Sequence, residues 1–581
     1  MAPPPAASPR SGRPLRVALV GLGPKGLFAL ERLLDRVGDA PVDVVAYEPH
    51  PTPGAGPVYD PAQPDWLRMN NAARHVDLWW PGNATVPAAE RRSFVAWDGG
   101  RHGGGDAFVP RAVVGRYLAD GLATLLRHAG PVTTVRVVRA RVGQVVPAGA
   151  GWRVVAEDGA GAVHDEVLLA TGHARPRDPR DPGLAGLPVP VVPAVFPVGD
   201  RLGGDAVPDG AVVALRGFAL TAIDAALALT EGRGGRFVPG TGRRLRYVAG
   251  ADGVGALVPF SRTGLPMVAK PDPAPHPGTE ALDVVGETGR ELVASLPGRS
   301  VDAVDGLRAA VAATATAALL AVGAPGDPAM VAVHPAVAPA GPATPTPVRT
   351  AGGATAARLA ASLDVAVGLR PPGADWALGH AWRALYPAVV DRFGGTALDA
   401  AGWVAFRALA ADLERIAFGP SAENVAKVLA LAEAGVLDLD HVDGALLTRA
   451  AGDVVVRSGA GERRVDVVVD AVLPGPGVPP GDDGPLAGLV ATGAAHRPPG
   501  RRGVDVDAAG GCRDAAGRPV PGLSVVGRPT EDVVVGHDTL SRTLHRQADG
   551  WARRVAARAR EHATLPPAGP EATRTPVGDP A

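Results

Sequence analysis

The stretch LRVALVGLGPKGLFALERLL, beginning at Leu15, constrains this chain more than any other. RVALV reads as a buried strand. Leu27, Leu30, Leu33, Leu34 and Val37 then recur on one helical face. Between strand and helix stand Gly21, Gly23 and Gly26. In that spacing the first glycine permits a tight turn off the strand, the second lets a pyrophosphate approach the backbone, and the third lets the helix pack close to the sheet. The helix N-terminus offers free N–H groups and a positive dipole end to phosphates. A second buried strand, VDVVAYE, ends at Glu48, where a carboxylate can accept both ribose hydroxyls of an adenosine. With 77 glycines in the chain the spacing alone is weak. Strand before, helix after and acid in place make it specific, and they predict dinucleotide binding.

A chain of 581 residues is too long for one ordinary core and implies about two to four domains. The formal charge of −1 argues against nucleic acid or an anionic membrane as partner. A lone cysteine, Cys512, excludes an internal disulfide, a Cys-x-x-Cys redox pair and a cysteine-based zinc site. With no signal-peptide core in MAPPPAASPRSGRP and no run of about 18 uninterrupted apolar residues, the expectation is a cytoplasmic chain without a membrane span. No Gly-x-Ser-x-Gly elbow, Gly-Lys-Ser/Thr phosphate loop or zinc-type histidine spacing occurs, so neither a hydrolase triad nor a metal is expected. His537 and His545, eight residues apart, are candidates to share a helix face.

Residues 51–110 read as long loops, 112–128 as a helix, and EVLLATGH as a strand stopping at Gly172. After a Pro-rich crossover, AVVALRGFALTAIDAALAL repeats the strand–turn–helix pattern. Residues 276–300 read as loop and 301–440 as mostly helical, with a Pro/Ala/Thr segment at 334–350. Strands return at GDVVVRS, RRVDVVVDAVLP and GLSVVG before a closing helix from Thr539.

GLGPKG, YEPHP, LATGH and GLSVVGRPTEDVVVGHDTLSRTLH together resemble flavoproteins with two dinucleotide-binding domains. The chain is most similar to the bacterial FAD/NAD(P)-binding family, distant kin of the lysine/ornithine N-hydroxylases and flavin monooxygenases. The likeness spans most of residues 15–560. It implies an α/β fold in which a Rossmann-like FAD domain is built from both chain ends and encloses a second nucleotide-binding domain and a mostly helical insertion. The expected division is a disordered tail over 1–14, the N-terminal FAD part over 15–194, an NAD(P)H domain over 195–300, the helical insertion over 301–450, the C-terminal FAD part over 451–562 and a second tail over 563–581.

On that resemblance Gly21, Gly23, Pro24, Gly26 and Glu48 hold the ADP half of FAD. Thr171, Gly172, Gly527 and Asp538 approach the cofactor, Asp538 at the start of the last helix, where it is equally a plain helix cap. Asn70 and Asn71 are read either as partners of the flavin ring edge or as turn formers. Trp79 and Trp80 are read as pocket walls or core. His173, just past the strand, is a candidate acid or base and otherwise a loop histidine. In the second unit Gly217 and Thr221 flank Ala219, whose methyl stands where a pyrophosphate should come close. Ser261 and Arg262 end a strand at which an arginine can clamp a 2′-phosphate and favour NADPH over NADH. Arg233 and Arg236 are further candidates. Lys270, in PMVAKPD, can face ligand but has no assigned role.

The function so implied is an NAD(P)H-dependent FAD monooxygenase that uses molecular oxygen on a small substrate, by resemblance an amine. A flavin dehydrogenase or oxidase without oxygen transfer, and a non-catalytic FAD-binding protein, stay open. Nothing in the sequence specifies the substrate or the oligomeric state.

Overall fold

The computed structural model describes residues 13–173, 182–241, 244–261, 263–271, 279–324, 329–338, 352–395, 397–450, 452–537 and 539–564. The expected terminal tails fall outside that range except for their innermost residues, as do Arg262 and Asp538.

The apolar runs that the sequence marks as strands assemble a six-stranded sheet. In spatial order it runs Gly511–Arg513, Pro519–Val525, Glu166–Leu169, Leu15–Val20, Val42–Tyr47 and Thr133–Val138. All neighbours are parallel except the first pair. Strands from both ends of the chain lie side by side, because Leu523–Val525 pairs with Val167–Leu169. Helix Pro24–Val37 covers one face together with Arg111–Arg127 and the closing helix Gln547–Thr564. The other face packs on the antiparallel strands Val142–Ala148, Gly151–Ala156 and Gly161–His164 and on helix Pro485–Ala491.

The seam between the first and last helices is ionic. Arg32 is 1% exposed and reaches Glu31 (3.2 Å), Asp35 (2.6 Å) and Asp549 (3.1 Å). Arg542 donates to Glu31 and to the Leu78 carbonyl (2.9 Å), and its guanidinium lies between the rings of Phe28 and Trp80. Pairing and hydrogen bonding offset the cost of burying these charges. Trp79 is buried in the core, and Trp80 faces these arginines rather than an apolar pocket, because the guanidinium planes offer it cation–π partners.

The second sheet is parallel throughout, in the order Ala256–Phe260, Val212–Arg216, Val467–Asp470, Val191–Val192. Val467–Asp470 therefore belongs with the inserted unit and not with the first sheet, as the expected 451–562 division had it. Its four residues are all buried, because helices cover one face of the sheet and the antiparallel strands Leu446–Ala450, Asp453–Ser458 and Gly461–Val465 cover the other. Helices Gly352–Ala366 and Ala422–Glu433 join this domain's core, whereas Thr279–Ala294, Val301–Ala321, Ala374–Phe393 and Ala400–Ala417 form a separate bundle. Thr279–Ala294 corrects the loop expected over 276–300, since its apolar side packs against the bundle. Val301–Ala321 is long and apolar enough to cross a membrane; here its residues Val304, Leu307, Val311 and Leu319 are buried in the bundle core.

Candidate functional site

The first glycine turn has the geometry its spacing requires. Gly21 has φ +97°, and a Cβ there would lie 2.5 Å from the Ala170 carbonyl oxygen, beside the end of strand Glu166–Leu169. A Cβ on Gly26 would lie 2.1 Å from the Gly21 oxygen, so the helix can approach the turn only with hydrogen at that position. Gly23 differs from both. Its φ is −74°, open to any residue, and the nearest atom to a Cβ would be the Gly56 Cα at 3.8 Å. Two glycines are thus dictated by the chain's own packing, and the third keeps a space that a side chain would fill. The opening turn of helix Pro24–Val37, with the positive end of its dipole, borders that space.

Glu48 stands at the rim, 5% exposed. One carboxylate oxygen accepts from Leu22 N (2.7 Å) and the other from His50 N (2.8 Å). The backbone therefore fixes the group while each oxygen keeps a lone pair. Gly54 N donates to Leu22 O (2.6 Å), and Gly56, at φ +63°, closes over Gly23. The Gly54-Ala55-Gly56 crossing thus lies over the cradle with both of its glycines at positive φ, six and eight residues after the acid. The residues present fit the adenosine diphosphate of a dinucleotide.

Thr171, Gly172 and His173 lie exposed beyond strand Glu166–Leu169, next to the Gly21 turn. Gly527, at φ +83°, forms the opposite wall, where a Cβ would lie 3.4 Å from Cγ of Lys25 on the first helix. Its N–H donates to Nδ1 of the buried His537 (2.9 Å), which Thr530 Oγ1 also meets at 2.7 Å. Burial foremost, then Lys25 and His545, holds the His537 pKa well below the ordinary histidine value, which leaves a neutral ring with Nδ1 as acceptor. His537 and His545 do not share a helix face: their rings lie 4.6 Å apart, but the closing helix begins only at Gln547. Residues before it are drawn into other bonds, Arg542 to Leu78 and Glu31 and His545 to the Val535 carbonyl, so no helix starts near residue 538.

Asn70 points to the helical insertion. Its Nδ2 donates to the Phe418 carbonyl (3.3 Å), and its own carbonyl accepts from Lys270 Nζ. Asn71 is half-buried beside it.

The second turn keeps the first glycine's geometry. Gly217 has φ +109°, and its N–H bonds the Phe260 carbonyl (2.8 Å). Ala219 caps helix Leu220–Ala228 in extended conformation, and Thr221 is buried in the first turn. Ser261 is occupied locally, its Oγ accepting from Gly264 N (3.0 Å) and donating to the Val442 carbonyl (3.4 Å). Arg233 bonds the carbonyls of Leu202 (3.0 Å) and Val207 (2.7 Å) and the Asp209 carboxylate (3.2 Å), so it is structural, not a phosphate clamp; Arg236 is exposed. No cluster of metal-ligating side chains occurs among the described residues.

A fold with two mainly parallel sheets, each entered through a glycine turn, and an acid-rimmed cradle at the first defines a dinucleotide-binding protein. Residues 18–174 match the FAD-NAD(P)-binding family. Among curated relatives, L-aspartate N-monooxygenase (nitrosuccinate-forming) of Streptomyces cremeus is 31% identical over 261 residues, 39% of this chain and 39% of the relative. Nitrosuccinic acid synthase npaA of Aspergillus oryzae is 28% identical over 310 residues, 46% of this chain and 43% of the relative. The chain thus spans less than half the length of the curated relatives it matches. The reduced form of ornithine hydroxylase from Pseudomonas aeruginosa superposes with a TM-score of 0.46 at 11% identity, covering 94% of this chain and 99% of that one, and stands as a likeness only.

Proposed function

We propose that this chain is a FAD-dependent monooxygenase that uses NAD(P)H and molecular oxygen to oxidise the amine nitrogen of a small substrate. The observation that carries the reading is the cradle at Gly23, an open space framed by Gly56, the first-helix N-terminus and the Glu48 carboxylate. FAD, when bound, supplies the electron storage and oxygen activation. The chain's part is to hold and shield it. Gly23 and the N–H groups of the first helical turn take the pyrophosphate, and Glu48 takes the adenosine ribose. The Gly527 loop, stiffened by the neutral His537, forms the far wall. The preference for an amine over other nucleophiles comes from the curated relatives, both named for forming nitrosuccinate or nitrosuccinic acid. The chain's single cysteine, Cys512, is buried with its thiol pKa pushed up to about 12 chiefly by burial, so it takes no part, and the reading places the enzyme in the cytoplasm.

The test supplies FAD-loaded protein with NADPH, ¹⁸O₂ and a panel of small amines that includes L-aspartate. The expected result is a nitrogen-oxidised product carrying the label. Flavin reduction by NADPH followed by reoxidation without labelled product would favour the dehydrogenase or oxidase reading instead, and protein that binds FAD but never accepts electrons would favour a non-catalytic one.

A further inference from the structure

The chain has three lysines, Lys25, Lys270 and Lys427. Lys427 is buried and paired, with Glu231 at 2.8 Å and Glu423 at 3.4 Å. Lys270 is buried to 9% exposure and has no carboxylate within ion-pair distance among the described residues. Its main-chain N–H is tied to the Pro420 carbonyl (2.8 Å), its ammonium donates to the Asn70 carbonyl, and that ammonium lies 5.7 Å from the Phe418 ring centre. An ammonium carries three donors, so one carbonyl leaves it under-used.

Arg383, on helix Ala374–Phe393, is a second cation in the same place. Its Nη1 donates to the Ala417 carbonyl (2.9 Å), and it too has no carboxylate partner among the described residues. Burial lowers Arg383 to about 10 and, with Arg383's own charge as second cause, lowers Lys270 to about 7. His75 is likewise held down by burial, then by Arg74 and Lys270. The local field is one-signed. Burying charges without a counter-ion is unfavourable, and an anion bound between the two cations would offset that.

The pair is linked by packing to the loops that border the dinucleotide site. Asn70 belongs to the loop that follows the Gly54–Gly56 crossing. Tyr386, three residues after Arg383, packs edge-on to Phe418 (5.1 Å), and a Cβ on Gly536 would lie 2.5 Å from its hydroxyl. Gly536 precedes His537, which anchors the Gly527 wall. The cations are therefore connected through Asn70, Phe418 and Tyr386 to the loops on either side of the dinucleotide site, where three segments distant in sequence converge.

We propose that Lys270 and Arg383 bind a carboxylate of the substrate and so select an acidic amine. This rests on the monooxygenase reading for what the substrate is, though not for whether the anion binds. Arginine's planar fork matches a carboxylate bidentately and lysine adds a point charge. The cofactor phosphates have their own place at Gly23.

The experiment is calorimetric titration of FAD-loaded protein with succinate, a dicarboxylate that cannot be turned over at nitrogen. Lys270→Met and Arg383→Gln are expected to weaken binding roughly 10- to 100-fold, and Lys270→Arg to retain most of it. Lys270→Met should also melt no lower than wild type without ligand, because it removes an unpaired buried charge. A merely structural lysine would instead lower the melting temperature. Absence of succinate binding to wild type, unchanged affinity in both variants, or displacement of succinate by equimolar inorganic phosphate would overturn the proposal. Succinate binding through Lys270 in a protein that oxygenates no amine would sink the monooxygenase reading alone. Oxygenation in which Lys270→Met lowers kcat/KM equally for amines with and without a carboxylate would sink the carboxylate site alone.

Discussion

Gly23 and Gly26 lie three residues apart in one turn, yet the structure assigns them opposite kinds of constraint, and alanine at each separates them. A Cβ at Gly26 would stand 2.1 Å from a backbone oxygen that cannot swing away. Helix Pro24–Val37 must then move off the sheet, with overpacking losses of about 1–3 kcal/mol whether or not ligand is present. A Cβ at Gly23 meets nothing closer than 3.8 Å, and the residue's φ of −74° is ordinary for alanine. The apo fold should therefore hardly notice it. The methyl instead occupies the space through which phosphate oxygens reach the turn. Losing one charge-assisted hydrogen bond is worth about 1.5–3 kcal/mol, so FAD affinity should fall roughly 10- to 100-fold. Thermal melts of the FAD-free proteins and titration of FAD by fluorescence quenching measure the two effects separately. The reasoning fails if Gly23→Ala binds FAD as tightly as wild type, or if it destabilises the apo protein as much as Gly26→Ala.

Arg542→Met should lower stability by about 3 kcal/mol, toward the lower end for breaking a buried ion pair, because Arg32 (3.2 Å) and Asn83 still reach Glu31; chemical denaturation measures it, and a loss under 1 kcal/mol, as for a surface pair, would contradict it. Glu48→Gln keeps an acceptor for one of the two backbone N–H groups but turns an amide toward the other, and should weaken FAD about tenfold while Glu48→Ala also lowers the melting temperature. Burial, the first cause in each case, lowers His164 and His380 from 6.5 to about 4, and drives His537 well below its ordinary value. Between pH 6.5 and about 4 the unfolded chain therefore binds more protons than the folded one, so stability is full above 6.5 and falls as the pH drops through that window. Melts across this range should show the decline, and a flat profile would mean that these rings charge without cost in the fold.

What the sequence reveals and what it hides divides by contact distance. Gly21, Gly26 and the apolar face of Leu27, Leu30 and Leu33 act within one strand–turn–helix unit, so the local pattern of strand, glycines and helix announces them. Val467–Asp470 is as clearly a strand, but its sheet is decided by pairing with Val213–Arg216, some 254 residues away. No local pattern distinguishes that partner from Leu15–Val20. Helix Thr279–Ala294 is hidden in the sequence because its apolar side has meaning only against the helices that follow. Arg233 looked like a phosphate ligand because arginine's charge is visible in sequence, whereas the Leu202 and Val207 carbonyls that occupy it are not. Lys270 is one of three lysines in the sequence, but its neighbours at Asn70, Arg383 and Phe418 are united only by the fold.

The flavin itself decides the account most directly. Protein purified without added cofactor, or mixed with FAD and desalted, is denatured and the released chromophore quantified. The prediction is a yellow protein that releases FAD equimolar with chain, and a Gly23→Ala variant that folds but releases far less. A colourless wild-type protein that takes up no FAD while remaining folded would contradict it.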